Sequence, residues 1–144
     1  MKFYHVEPEV PGGLGEGTVF DHSGRYLKVT ELHYRFDGWL GDDFLTSHPC
    51  FFATRRLADE IKLNKLTGVT PSHMEASPSD IFEAFHPGRQ LPEFIWLKID
   101  GKPGADDFGI VGNGELIVSA KALTVLKSFH LNHCDVTPYP MADK

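Results

Sequence analysis

Glu93-Phe94-Ile95-Trp96-Leu97-Lys98-Ile99 is the stretch on which the fold turns. Successive side chains of a strand point to opposite faces. Phe94, Trp96 and Lys98 therefore share one face, and Ile95, Leu97 and Ile99 the other. Apolar residues on both faces predict a central strand covered on both sides, with Trp96 buried. Asp100-Gly101 and Lys102-Pro103-Gly104 then turn the chain. Downstream, Glu115-Leu116-Ile117-Val118 reads as a short buried strand. Ser119 caps a helix across Ala120–Phe129, on which Ala122, Leu123 and Leu126 share one face.

Upstream the pattern is mixed. Met1–Val6 reads as a short edge or first strand, stopped by Pro8 and Pro11. The glycines at 12, 13, 15 and 17 make a linker, without the order of a phosphate-binding loop. Tyr26–Phe36 is the clearest early strand, with Leu32, Tyr34 and Phe36 alternating against His33 and Arg35. Thr54 starts a helix that runs to Lys62 or Lys65 and buries Leu57, Ala58 and Ile61. Val69–Ala76 reads as extended, Ser79 caps a short helix over Asp80–Phe85, and Asn132–Tyr139 is a last extended piece. Strands and helices do not alternate strictly, which favours α+β over a doubly wound sheet. The expectation is one α+β domain over 1–144, with an N-terminal subregion at 1–38. Its sheet is mainly antiparallel or mixed, holds Leu32–Phe36, Phe94–Ile99 and Glu115–Val118 together, and carries two or three helices. No internal repeat is visible.

Composition narrows the function classes. A chain of 144 residues with 11 Phe and 41% hydrophobic residues can bury a core. The net charge of −6 argues against nucleic acid as a partner. No apolar run approaches the roughly 20 residues of a membrane span. Glu7 and Pro8 interrupt any signal-peptide pattern, so a cytoplasmic protein is expected. Cys50 and Cys134 lack ligand spacing. Without a secretion signal they read as two buried thiols.

Eight histidines invite a metal reading, yet they are scattered. His130, His133 and Cys134 are the nearest to a cluster, and they need a carboxylate to complete a zinc site. His133 and Cys134 are consecutive and would point apart on a strand. No metal, cofactor or catalytic residue is therefore expected. The acidic doublets Asp42-Asp43 and Asp106-Asp107 each precede a phenylalanine. Phe44 and Phe108 are expected to enter the core while the acids stay in water. Wet acids beside aromatics suit contact with a basic partner. The candidate partner-binding residues are Asp37, Trp39, Asp42, Asp43, Asp106 and Asp107.

Leu91–Gly101, Asp106-Asp107-Phe108 and Leu116–Leu126 form an ordered series. It resembles the C-terminal half of bacterial polymorphic-toxin immunity proteins, and in particular the double-CXXCG (Gmx) group. Pro92-Glu93-Phe94-Ile95-Trp96 matches that group's P-x-[FL]-x-W strand. Leu116-Ile117-Val118-Ser119-Ala120-Lys121-Ala122 matches its strand entering a helix. Phe44–Leu63 follows the same plan, and the resemblance covers residues 40–137. Both CXXCG motifs are missing, which removes the family's reason for zinc. The resemblance implies a non-enzymatic protein that binds and neutralises a cognate toxin made by the same cell. With the acidic loops, the expected toxin surface is basic and the expected mode is blocking of its active site or substrate path. The alternative is a small enzyme with its site near the acidic loops.

Overall fold

The strand at the centre of that reading is central. In a computed structural model, which describes residues 2–24 and 28–140, β10 (Phe94–Ile99) is paired on both sides. Trp96 lies opposite Phe52 of β7 (Cys50–Thr54) and Ser72 of β8 (Val69–Ser72), both antiparallel. With β6 (Phe44–Ser47) on the outer side of β7, these strands make a sheet of order β6-β7-β10-β8. The turn from β6 to β7 is His48-Pro49, with a cis peptide bond.

Alternation along this sheet feeds two cores. Phe44, Phe51, Ala53 and Leu97 point to one face; Leu45, Cys50, Phe52, Phe94 and Trp96 point to the other. The first face is covered by α1 (Arg55–Leu63), α3 (Ala120–Lys127) and a second sheet. That sheet has the order β11 (Phe108–Ile110), β12 (Leu116–Ser119), β1 (Phe3–Glu7), β13 (Asp135–Tyr139), all antiparallel. Leu57, Ala58 and Ile61 of α1 and Ala122, Leu123 and Leu126 of α3 face inward, as their helical spacing predicts.

The second face is covered by β2 (Gly12–Leu14), β5 (His33–Phe36) and β9 (Glu75–Pro78), with α2 (Asp80–Phe85) beside them. This core is aromatic. Phe94 stacks on Phe36 with ring centroids 4.7 Å apart, and Phe52 meets Phe36 edge-on at 5.9 Å. Such pairs contribute about 0.5–1.5 kcal/mol each beyond area burial. β5 and β9 run parallel, whereas the other paired strands are antiparallel. A hairpin of β3 (Val19–Asp21) and β4 (Lys28–Glu31) completes thirteen strands and three helices among the described residues. The class is α+β, mainly sheet.

Three expectations are corrected. Leu32–Phe36, Phe94–Ile99 and Glu115–Val118 were expected in one sheet, but β5, β10 and β12 belong to three. The two-sided apolar pattern of β10 is met by a layer stacked on each face. β1 is the first strand but not an edge, since β12 and β13 flank it. β1 lies in one outer layer and β2 and β5 in the other, and two further early strands, Val19–Asp21 and Lys28–Glu31, pair only with each other. Gly12–Leu14, read as linker, pairs with β5; a Cβ on Gly12 would lie 2.0 Å from the Arg35 carbonyl oxygen, so only glycine permits this approach. Tyr26 and Leu27, placed at the start of the early strand, lie outside the described residues. Ser79 and Ser119 cap α2 and α3 as read, accepting from the Phe82 and Ala122 amides.

Candidate functional site

The acidic doublets sit at equivalent places in two similar units. In each, Asp-Asp-Phe opens a strand, a hairpin returns, and a helix follows. Phe44 lies opposite Ala53, the residue before the first residue flanking α1, Thr54. Phe108 lies opposite Val118, the residue before Ser119 at the start of α3. The second aspartate thus meets the hydroxyl residue that begins the helix. Asp43 accepts from Thr54 Oγ1 at 2.5 Å, and Asp107 accepts from Ser119 Oγ at 2.6 Å. The backbone repeats the pattern, with the amides of Thr54 and Ser119 donating to the carbonyls of Asp43 and Asp107, both at 2.9 Å. Phe44 and Phe108 enter the same core, as expected.

The acids of the first doublet do not stay in water. Asp42 is 0% exposed and Asp43 1%. Asp42 accepts the Asn132 and His133 amides at 3.1 and 2.7 Å, and its Oδ1 lies 3.1 Å from His133 Nδ1. Asp43 accepts the His130 amide at 2.9 Å and a two-pronged bond from Arg56 at 2.8 and 2.7 Å. Burial tends to raise the Asp43 carboxyl, but these donors prevail and hold it below the usual range. Burial is tolerated because donors meet the carboxylate oxygens. Asp42 and Asp43 brace the loop at 130–133 against β6 and α1.

The second doublet closes its own loop. Asp107 accepts the Thr67 amide at 2.9 Å as well as Ser119, and Asp106 accepts the Lys102 amide at 2.7 Å. Burial raises Asp107, yet its donors again bring it below the usual range. The neighbouring backbones are tight: Gly68, at φ +82°, has no room for a Cβ, which would sit 2.2 Å from the Phe108 carbonyl oxygen. Both acids are half-buried. The structure therefore separates the two doublets into different bonding networks.

Asp37 and Trp39 occupy a third setting. Asp37 is exposed and Trp39 half-buried, and both line a shallow depression with Val10, Leu40, His86 and Arg89. One edge of Trp39 enters the aromatic core against Phe94, at 5.7 Å and nearly perpendicular. Its Nε1 donates to the Asp42 carbonyl at 2.8 Å, and Arg89 lies over the ring at 5.1 Å. Around it, Val10 is 62% exposed and Leu40 64%. Phe85, next to His86, is 77% exposed.

One residue was missed altogether. Glu9 bridges β6, its carbonyl accepting the Thr46 amide at 2.9 Å. Its Oε2 accepts the Leu40 amide at 3.1 Å, while its Oε1 is buried without a partner. Burial is the largest influence raising the Glu9 carboxyl, with the Asp42 charge adding to it. Glu9, Asp42 and His133 each bring a ligand atom to within 4.8 Å of the others. His133 was flagged in sequence, but with His130 and Cys134; its neighbours here are carboxylates from segments far away. Cys50 and Cys134 are both free, and they pack into different cores. Burial pushes each thiol up to about 12. Among the described residues no helix is long and apolar enough to cross a membrane.

Comparison of the chain with known protein families, with curated proteins and with solved structures returned no match.

Proposed function

We propose that this chain is an immunity-type protein that binds a cognate bacterial toxin and neutralises it by covering its active site. The observation that carries the reading is the face around Trp39. Val10 and Leu40 stand out of the surface beside an indole whose other edge is fixed in the core. Adjacent exposed apolar side chains around an anchored aromatic are the make-up of a protein-binding centre. Asp37 and the net charge of −6 suit a basic partner by steering its approach. Of the residues proposed from sequence, Asp37 and Trp39 are the direct contacts on this face. Asp42 and Asp43 support it from behind. Asp106 and Asp107 form a separate loop and are the weaker members of the set.

Co-expression with candidate toxin domains from neighbouring genes tests the reading. Cells survive only when the protein is present, and Leu40→Asp or Trp39→Ala removes protection while the purified variants still fold. Full protection by folded Leu40→Asp and Trp39→Ala variants would reject the face. Death of cells that carry the wild-type protein would reject immunity.

A second reading, a small enzyme at the acidic loops, draws on one feature. The His133 ring is held at Nδ1 by buried Asp42, and its side chain is 43% exposed. A carboxylate that orients a histidine in this way prepares its other nitrogen for proton transfer. Turnover of a substrate that is abolished in His133→Gln would favour it.

A further inference from the structure

We infer that Glu9, Asp42 and His133 form a binding site for a single first-row divalent cation, with zinc as the reference ion. The three residues come from the segment after β1, the loop before β6 and the loop before β13. Their ligand atoms converge within 4.8 Å. Two ligands on one ion, each at 2.0–2.2 Å, stand about 3–3.5 Å apart. Asp42 Oδ1 and His133 Nδ1 are separated by 3.1 Å.

The carboxylates are already oriented for this. Backbone amides hold the carboxylates: Leu40 holds Glu9 Oε2, His133 holds Asp42 Oδ2, and Asn132 holds Asp42 Oδ1. Asp42 Oδ1 also reaches His133 Nδ1, and Glu9 Oε1 has no donor. Outer bonds of this kind fix ligands at metal centres. Glu9 Oε1 is the telling atom, since it is shut off from water and has no hydrogen-bond partner. A buried oxygen without a donor is costly unless something meets it. The cation takes the place of the hydrogen between Asp42 and His133, whose neutral ring then carries its N–H on Nε2, and gains the Glu9 carboxylate as a further ligand. The exposed side of His133 leaves room for water on the remaining positions. Two carboxylates and one imidazole, without thiolate, suit zinc or manganese.

The ion would tie three loops together. Glu9 precedes Val10, and Asp42 accepts Trp39 through its carbonyl. The site thus lies directly behind the exposed face around Trp39, and binding there stiffens it. This inference does not depend on what that face binds.

The test is titration of the full tag-free chain, stripped with chelator, with zinc chloride in a competing chromophoric chelator. One ion binds per chain. Glu9→Gln and His133→Ala each weaken binding at least about tenfold, and His130→Ala leaves it unchanged. Cobalt in the same site gives a visible spectrum without a sulfur charge-transfer band. The inference is overturned by the absence of saturable binding, by binding that Glu9→Gln leaves intact, by a loss in His130→Ala equal to that in His133→Ala, or by a thiolate band from Cys134. Should His133→Ala not fold, Glu9→Gln decides alone, because the amide keeps the shape and the bond to Leu40.

Discussion

The two Asp-Asp-Phe units share a plan and differ in what their acids do. In both, the second aspartate takes the hydroxyl of the residue that begins a helix. Ser119 also accepts the Ala122 amide, so it caps α3 in full. Thr54 makes no such bond, and α1 begins without a side-chain cap. The Thr54 hydroxyl is committed to Asp43, which in turn carries Arg56 and the loop at 130–133. One unit closes on itself; the other gives up a local cap to hold a distant segment. A short polar motif thus acquires its role from what the chain brings to it.

Asp43→Ala is the severest test of that contrast. It strands the Thr54 hydroxyl and the His130 amide, and each unsatisfied buried group costs about 1–3 kcal/mol. A loss of about 3 kcal/mol in urea unfolding is expected. Asp107→Ala should lose about half as much, because Thr67 is exposed and water can replace the carboxylate there. Equal losses would break the distinction between the units.

Ser119→Ala sharpens it from the helix side. Removal of the cap costs about 1 kcal/mol, and the loss should appear as faster amide exchange at Ala122. Thr54→Ala should leave exchange in the first turn of α1 nearly unchanged, as no cap is lost.

Acid titration probes the carboxylate of the second unit. The Asp107 carboxyl lies below its ordinary value of 3.8 in the folded protein. Its contribution is therefore present above about pH 4 and is lost as pH falls through the lower folded value. Asp107→Asn should flatten the acid limb of the stability curve below that point, with little change at neutral pH in the slope. An unchanged limb would remove Asp107 from the account.

Arg56→Ala should show the smallest effect. Its side chain is 58% exposed, so its bonds to Asp43 are open to solvent and salt. A loss under about 1 kcal/mol, shrinking further in high salt, is expected from unfolding curves at two ionic strengths.

What the sequence made legible was local. The two-sided pattern of Phe94–Ile99, the buried faces of α1 and α3, and the caps Ser79 and Ser119 all rest on neighbours within a few positions. What it hid was set by distant partners. Asp42 and Asp43 look solvated because a carboxylate usually is, and nothing nearby shows that amides 87 to 91 positions away will satisfy them. Glu9, Asp42 and His133 obey no spacing rule for the same reason. The paired units escaped notice because little besides Asp-Asp-Phe and a hydroxyl is shared. Their hairpins also differ in length, with 11 positions from Asp43 to Thr54 and 12 from Asp107 to Ser119.

The place of β1 between β12 and β13 bears on how the chain is made. A ribosome delivers β1 early, yet neither neighbour exists until residues 116–119 and 135–139 emerge. At synthesis rates of about 5–20 residues per second, Phe3 and Val6 wait on the order of ten seconds with no strand to join. The central sheet and its aromatic layer can form only late in that interval, once Phe94–Ile99 has been delivered. Until β12 and β13 emerge, β1 is a loose apolar segment without strand partners, open to pairing with other chains.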